Sequence, residues 1–207
     1  MTPGVLVIAK NPVPGRVKTR LQPQFSADEA AALAGAALHD VWDWAGAAPW
    51  RCMAIDSLGE SLPGWLSGDA FPQVAGNLGD RITAALSQAA SRHGPPLLLV
   101  GMDTPQLTEA HLQEAADMLA RSDYVLGLAP DGGFWALGAS GRAVPDLGEV
   151  AMSRADTGAN TLALLAERGR VGLLAELEDV DDEASALRVA QAAPDSRFAR
   201  ALHGIRQ

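Results

Sequence analysis

A cluster of basic side chains follows the first apolar segment of the chain. Residues 1–27 contain no aspartate or glutamate, and within eleven of them lie four cations, Lys10, Arg16, Lys18 and Arg20. The background is acidic, because the 207 residues carry 16 Lys and Arg against 25 Asp and Glu. Proline residues and Gly15 shape a loop whose backbone N–H groups and cations can bind a polyphosphate. The pattern predicts a phosphate-binding loop, with a solvated surface loop as the alternative.

Two common phosphate-binding motifs are absent from this loop. Lys18 and Thr19 are adjacent as in a P-loop, but Val17 precedes the lysine and the G-x-x-x-x-G-K-[ST] spacing is missing. No G-x-G-x-x-G sequence follows the first apolar segment, which argues against a dinucleotide-dependent oxidoreductase. The loop therefore indicates a different kind of nucleotide site.

A carboxylate follows the aliphatic run Leu97–Val100, in the sequence Gly101-Met102-Asp103-Thr104-Pro105. Its position directly after a predicted buried strand places it at the edge where open α/β sheets bind ligands. Mg²⁺ and Mn²⁺ prefer oxygen ligands, and Mg²⁺ commonly combines one or two carboxylates with substrate phosphate and water. Asp103 is therefore predicted to bind a metal ion. The alternative role, capping the next helix, suits Thr108 better.

A second acidic motif is Asp131-Gly132-Gly133, which precedes Phe134 and Trp135. The two glycines permit a tight turn and a close approach of a ligand to the backbone. The same residues also fit an ordinary hairpin turn. From the residues alone both interpretations stay open, and Trp135 is predicted to be a packing residue that could also contact a ligand.

The third acidic segment is Glu176–Glu183, in which six of eight residues are Asp or Glu. Most of them are predicted to be solvated or to lie at the N-terminus of a helix, where negative charge is favourable. Asp181, which follows Val180, is the best candidate among them for a second metal ligand.

Composition excludes several classes of protein. A net charge of −9 disfavours binding to nucleic acid or to an anionic membrane surface. The single cysteine, Cys52, cannot form an internal disulfide and is predicted to be a core residue. The longest apolar run is far below the ~20 residues that span a bilayer, and too few residues precede the first strand for a signal peptide. We expect a cytoplasmic protein.

Hydrophobic patterning predicts strands that alternate with helices. Strands are expected at Val5–Ala9, Trp50–Asp56, Leu97–Gly101, Tyr124–Ala129, Phe134–Gly138 and Val171–Ala175. Helices are expected from the Ser26–Glu29 capping box to about Gly46, along Leu78, Ile82 and Leu86, from Thr108 to Ala120, at Thr161–Arg168 and at Glu183–Ala193. Gly59–Pro72 and Gly141–Asp156 are expected to be loops. The alternation predicts one α/β domain over residues 1–207, a mainly parallel sheet covered on both faces.

Six motifs follow one another along residues 5–190. They are A-K-x-P-V-P-G-R-V-K-T-R-L ending at Leu21, Gly76–Arg81, Gly101–Pro105, Leu126–Trp135, Met152-Ser153 with Asp156–Gly158, and Glu178–Asp181. In this order they resemble a bacterial family of selenodomain-associated transferases, also called domain of unknown function 2064. That family is similar to the GT-A-like nucleotide-diphospho-sugar transferases, whose relatives include molybdenum-cofactor, phospholactate and phosphoenolpyruvate guanylyltransferases. The resemblance implies a three-layer α/β/α sandwich.

The resemblance also implies roles for individual residues. Phosphates of the nucleotide would contact the first loop, at Lys10, Gly15, Arg16, Lys18 and Arg20. Base and ribose would lie near Gly76, Leu78, Gly79 and Arg81. Asp103 and Asp181 would bind Mg²⁺ or Mn²⁺. Acceptor contacts would come from Asp131, Gly132, Gly133, Trp135, Ser153, Thr157 and Gly158.

The sequence departs from the family pattern at two places. Asn77 stands where an Asp commonly precedes Leu-Gly, which removes a charge near the nucleotide. Arg154-Ala155 stands where Thr-Pro is usual after Met-Ser, so the acceptor loop is expected to differ.

Three functions are compatible with these features. The first is a metal-dependent transferase with a nucleotide-sugar donor, in which Lys18, Asp103 and Asp131 are catalytic. The second is transfer of a nucleotidyl group from a nucleoside triphosphate to a small phosphorylated acid or sugar, with release of pyrophosphate. The third is a non-catalytic nucleotide-binding domain. The expected partners are a nucleotide and a small acceptor, with neither nucleic acid nor membrane, and with a homodimer as a possible assembly.

Overall fold

The computed structural model describes residues 1–57, 64–66 and 68–206. Within these residues seven strands form one sheet in the order β3-β2-β1-β4-β6-β5-β7. The strands are β1 Gly4–Ala9, β2 Arg51–Ile55, β3 Asp69–Pro72, β4 Leu97–Gly101, β5 Tyr124–Leu128, β6 Phe134–Ala139 and β7 Val171–Leu174. The predicted mainly parallel sheet is confirmed, because only β6 runs antiparallel to its neighbours β4 and β5.

The register of the central strands determines where the site lies. Val7 of β1 is opposite Met53 of β2 on one side and Val100 of β4 on the other, in parallel pairs. The carboxyl ends of these strands therefore meet at one edge of the sheet. The loop after Ala9 and the segment after Gly101 both leave the sheet at that edge.

Six helices are present in the described residues, and they cover both faces of the sheet. They are α1 Ala27–Ala45, α2 Leu78–His93, α3 Glu109–Leu119, α4 Thr157–Ala166, α5 Glu183–Ala192 and α6 Arg197–Ile205. Side chains of β1 alternate between two apolar clusters, as a strand covered on both faces requires. Val5 and Val7 pack with α1 and α3, whereas Leu6 packs with α2 and α4. The fold is the predicted α/β/α sandwich.

Two parts of the chain differ from the sequence-based prediction. Gly59–Pro72 was expected to be a loop, but Asp69–Pro72 forms the edge strand β3 beside β2. This prediction was wrong for those four residues because Phe71 is their only buried large apolar side chain. Residues 59–63 and 67 of the predicted loop lie outside the described residues. Helix α6 was not predicted; together with α5 it covers α1 through Phe198 and Leu202. None of the described helices combines the length and apolarity needed to cross a membrane.

Cys52 is confirmed as a core residue, since it is fully buried in β2. Burial raises the pKa of its thiol to about 12, and the thiolate is the reactive form of cysteine. We therefore expect no alkylation of Cys52 by iodoacetamide at pH 8 in the folded protein, and one adduct per chain after unfolding in guanidinium chloride, both measured by intact-mass spectrometry. Rapid labelling of the folded protein would contradict this burial.

Candidate functional site

The loop after β1 points one lysine into the molecule. Lys18 has left-handed backbone angles, φ 51° and ψ 39°, immediately before a short 3-10 turn at Thr19–Leu21. Such angles are uncommon for a residue other than glycine and persist where the surroundings hold them. Here Val17 and Leu21, on either side, are both buried. The loop is thereby fixed with the Lys18 side chain only 9% exposed.

Lys18 joins three segments at the carboxyl edge of the sheet. Its Nζ lies 2.8 Å from Oδ1 of Asp103 and donates a hydrogen bond to the carbonyl oxygen of Val180. Asp103 Oδ1 is buried without a well-directed hydrogen bond, so the contact with Lys18 is an ion pair. The backbone N–H of Val180 also donates to the carbonyl oxygen of Asp103, at 2.9 Å. The cation-rich loop and the carboxylate after β4 thus face each other in one site.

Asp179 adds a carboxylate that sequence reasoning missed. Its pKa is raised to about 6, mainly by burial and secondarily by the charges of Asp131 and Asp103, while the charge of Lys18 acts in the opposite direction. Burial alone raises the pKa of a carboxyl group, and nearby negative charges add to the effect; Asp103, Asp131 and Asp179 all line the same cleft. Asp103, Asp131 and Asp179 therefore form an acidic cluster that one ammonium group only partly neutralises.

Asp181 lies at the rim of the same site. Its Oδ2 accepts a hydrogen bond from Nη1 of Arg20 at 2.7 Å, and both side chains are largely solvated. Two other acidic residues of this segment have structural partners: Glu178 pairs with Arg188, and Asp182 caps α5. Asp181 therefore has a cationic partner already, whereas Asp179 faces other carboxylates.

These carboxylates are suitable ligands for a hard divalent cation. No group of three His, Cys, Asp or Glu side chains forms a ready metal centre within the part of the chain that the structure describes. Mg²⁺ and Mn²⁺ need fewer protein ligands where a substrate phosphate and water complete the coordination. The mutual repulsion within the acidic cluster supplies the negative potential that such a cation would relieve, so Asp103 and Asp179 fit this role.

The predicted site residues divide into those that line the cleft and those that do not. The cleft has a volume of about 580 Å³. Its walls include Lys10, Lys18, Arg20, Leu78, Arg81, Asp103, Asp131, Gly133, Trp135, Ser153, Thr157 and Asp181. Six other predicted residues are absent from these walls: Gly15, Arg16, Gly76, Gly79, Gly132 and Gly158. Arg16 instead donates a hydrogen bond to Oγ of Ser57 at 3.2 Å.

Two of these glycines allow backbone segments to pack behind the site. Gly132 has φ 87°, and a Cβ on it would lie 2.0 Å from the carbonyl oxygen of Ala155. A Cβ on Gly79 would lie 2.0 Å from the carbonyl oxygen of Leu147. The motif Asp131–Gly133 is also the turn of the β5–β6 hairpin, and Asp131 accepts a hydrogen bond from the Gly133 backbone at 2.8 Å. Both interpretations of that motif are thus compatible with the structure.

The hydrogen bonds of Asn77 account for one departure from the family pattern, the amide in place of a carboxylate before Leu-Gly. Its Oδ1 caps α2 by accepting from the Asp80 backbone at 3.0 Å, and its Nδ2 donates to the Gly148 carbonyl oxygen at 2.9 Å. An aspartate could cap the helix but could not donate the second bond. The amide thus fixes the irregular segment 141–156 to the start of α2, where Leu147 is fully buried.

We expect Asn77→Asp to lower the free energy of unfolding by about 1 kcal/mol, because it retains the cap and replaces a hydrogen bond by a repulsive contact between oxygens. Urea denaturation followed by circular dichroism measures the change. Asn77→Ser, which retains a capping oxygen without the negative charge, is the matched control and should lose less. A gain in stability for Asn77→Asp would contradict the assigned hydrogen bond.

The sheet order and the position of the cleft define the class of the protein. A mainly parallel sheet with this one reversed strand and a cleft at the carboxyl ends of β1 and β4 is the fold of the nucleotide-diphospho-sugar transferases. The chain belongs to a family described as an uncharacterized protein conserved in bacteria, DUF2064, whose profile matches residues 27–154. The match includes Asp103 and Asp131. Among curated proteins, none matches the chain.

Solved structures share the fold over nearly the whole chain. A protein from Desulfovibrio desulfuricans G20, provisionally named a nucleotide-diphospho-sugar transferase, is 26% identical, with a TM-score of 0.85 over 98% of this chain and 96% of that one. The 2-C-methyl-D-erythritol 4-phosphate cytidylyltransferase of Thermus thermophilus is 17% identical, with a TM-score of 0.52 over 93% and 99%. Rv0371c of Mycobacterium tuberculosis H37Rv, crystallised with manganese, is 20% identical, with a TM-score of 0.53 over 90% and 97%.

Proposed function

We propose that this protein is a transferase that binds a nucleotide sugar in the cleft and passes the sugar to a small acceptor. The observation that carries the proposal is the ion pair between Lys18 and Asp103, which joins the basic loop and the carboxylate after β4 in a single site. The whole-length likeness to the D. desulfuricans protein supports the same class of donor.

In this proposal the donor lies across the carboxyl ends of β1 and β4. Lys10, Lys18 and Arg20 would bind its phosphate oxygens, since all three line the cleft on the side of the basic loop. The nucleoside would contact the opposite side of β1, near Leu78 and Arg81. Leu78 is 42% exposed and lines the cleft, so its apolar side chain is accessible to a ligand there.

Asp103 with Asp179 would hold Mg²⁺ or Mn²⁺, and Asp181 stays a candidate ligand at the rim. A bound cation of this kind neutralises negative charge on a diphosphate leaving group. Preorganised positive charge from Lys18 would contribute in the same direction. The bond between the sugar carbon and the diphosphate oxygen would break, and the nucleoside diphosphate would leave as the acceptor oxygen bonds to that carbon.

Asp131 is the proposed base where the acceptor is a hydroxyl group. It lines the cleft at the β5–β6 turn, and one carboxylate oxygen is already oriented by the Gly133 backbone. The carboxylate would take the hydroxyl proton as the new bond forms. An acceptor that is already ionised would need no base.

The second candidate function is nucleotidyl transfer. Lys10, Lys18 and Arg20 supply three positive charges on one side of the cleft, which suits a triphosphate better than a diphosphate. In that reaction an acceptor oxygen would attack the α-phosphorus atom, and pyrophosphate would leave. The shared fold of the cytidylyltransferases allows this arrangement.

One assay separates the candidates. The purified protein is incubated with Mn²⁺ or Mg²⁺, a panel of nucleotide sugars and nucleoside triphosphates, and a pool of small acceptors. Acceptor-dependent release of nucleoside diphosphate supports sugar transfer, and release of pyrophosphate supports nucleotidyl transfer. Thermal stabilisation by nucleotides without turnover would support a non-catalytic binding domain. The absence of both binding and turnover would overturn the proposal.

A further inference from the structure

Part of the cleft lining comes from the start of β6 and from the segment that leads into α4. We define the acceptor wall as the cleft-lining residues Phe134, Met152, Ser153, Arg154 and Thr157. We propose that the acceptor of this transferase carries a phosphate or carboxylate group, and that Arg154 binds it. The inference rests on the proposed function but is independent of whether a sugar or a nucleotidyl group is transferred.

The backbone of the acceptor wall is fixed by hydrogen bonds. Thr157 Oγ1 donates to the Ala151 carbonyl oxygen at 2.8 Å and accepts from the Arg154 N–H at 3.0 Å. The Gly158 N–H donates to the Gly132 carbonyl oxygen at 2.7 Å, which links the start of α4 to the β5–β6 turn. The wall is therefore held in place before any ligand binds, as precise recognition of a small molecule requires.

A left-handed residue lies at the centre of the acceptor wall. Ser153 has φ 59°, a conformation that is uncommon for a non-glycine residue and recurs at ligand sites. Met152, Ser153 and Arg154 all line the same cleft, although neighbours in an extended chain point to opposite sides. The turn at Ser153 allows three consecutive residues to face one ligand.

The guanidinium of Arg154 is available for exchange with a ligand. Its side chain is 65% exposed, and its ion pair is with Asp156, only two residues away, at 3.3 Å with 55% of the Asp156 side chain exposed. An exposed pair of this kind contributes little to stability. A planar guanidinium binds phosphate or carboxylate through two parallel hydrogen bonds. An anionic ligand could therefore replace Asp156 as the partner of Arg154 with little loss of protein stability.

The neighbours of Arg154 define the rest of the acceptor. Arg81 also lines the cleft and adds a second positive charge, with its Nε bound to the Gly76 carbonyl oxygen at 3.0 Å. Phe134 and Met152 are half-buried apolar residues beside it. This combination fits a small molecule with an anionic group and an apolar or sugar-like body. The acidic cluster lines the same cleft and would repel such an anion, which favours its placement at Arg154 and Arg81.

The test measures acceptor binding separately from donor binding. Full-length protein is saturated with Mn²⁺ and a nucleotide and titrated by calorimetry with three probes: glycerol, glycerol 3-phosphate and glycerate. We expect at least one of the two anions to bind at least tenfold more tightly than glycerol. Arg154→Ala should remove that preference, Arg154→Lys should restore part of it, and the Kd of the nucleotide should not change.

A control variant and the choice of probes show which premise a given result supports or contradicts. Arg142→Ala removes another exposed arginine, which pairs with Asp123 outside the cleft walls, and should leave the preference for the anion intact. Tighter binding of glycerol 3-phosphate than of glycerate assigns the group as phosphate, and the reverse assigns it as carboxylate. Equal binding of all three probes, or an equal loss of nucleotide affinity in Arg154→Ala, would overturn the inference. Failure of the wild-type protein to bind any nucleotide would instead overturn the proposed function.

Discussion

Lys18→Met is expected to lower kcat/KM for the nucleotide donor by about 10³-fold, because a preorganised charge at a leaving polyphosphate contributes roughly 10²–10³ in rate and also binds the ground state. The Lys18 ammonium is held by Asp103 and Val180 with 9% of the side chain exposed. Methionine retains most of the apolar stem, so the packing beside Val17 should survive.

The same substitution has a second expected effect of opposite sign. Lys18 is the cation closest to Asp103, and its charge also stabilises ionised Asp179. A divalent cation at these carboxylates competes with the ammonium in the absence of nucleotide. Lys18→Met should therefore bind Mn²⁺ more tightly than the wild-type protein, by about tenfold, as measured by electron paramagnetic resonance of free Mn²⁺.

Two further variants test whether the effect on activity depends on the position of the lost positive charge or only on its loss. Arg16→Met removes a positive charge from the same loop but outside the cleft walls, and its effect on kcat/KM should be much smaller. Arg121→Met removes an exposed charge from the turn after α3, also outside the cleft walls, and should change neither quantity. If all three variants lost activity equally, the effect would follow the net charge of the whole protein, and the assignment of Lys18 would be incorrect.

Most of the fold could be predicted from the sequence because its signals are local. The capping box at Ser26 and the aliphatic runs of β1 and β4 determine elements that the structure reproduces almost to the residue. The strand β3 gave no such signal, since it is a four-residue edge strand whose pairing with β2 depends on the rest of the sheet. Helix α6 is stabilised by packing on α1, which is a long-range contact.

Most residues of the site could be identified from the sequence, but which of them contact one another could not. The position of Asp103 follows from the end of a buried strand, whereas Asp179 and Asp181 flank Val180 symmetrically in the sequence. Burial of Val180 and the ion pair of Arg20 with Asp181 leave Asp179 as the one that faces the acidic cluster. Similarly, Arg16 and Lys18 look alike as cations of one loop, and the left-handed turn at Lys18 separates them. These differences depend on the local conformation of the backbone, which cannot be read from the residue types alone.

Asp179→Asn should make the metal-free protein more stable at neutral pH and less active. The pKa of Asp179 rises from an ordinary value of 3.8 to about 6 on folding. Between these values the folded state binds the proton more strongly than the unfolded state, so stability falls as pH rises through this window and the loss is complete above about pH 6. Two pKa units correspond to about 3 kcal/mol, and partial solvation reduces the expected effect to about 1–2 kcal/mol.

Asparagine cannot ionise, so the stability of Asp179→Asn should not fall as the pH rises through this window. Urea denaturation in EDTA should show Asp179→Asn more stable than the wild-type protein by about 1–2 kcal/mol at pH 7.5, with the difference vanishing near pH 4. Asp181→Asn is the matched control, because it removes the partner of Arg20 and should give no gain at either pH. Activity of Asp179→Asn should fall by about 10²-fold or more if the carboxylate serves the reaction. A destabilised Asp179→Asn at pH 7.5 would mean that the carboxylate has favourable partners, and that the acidic cluster does not need a cation.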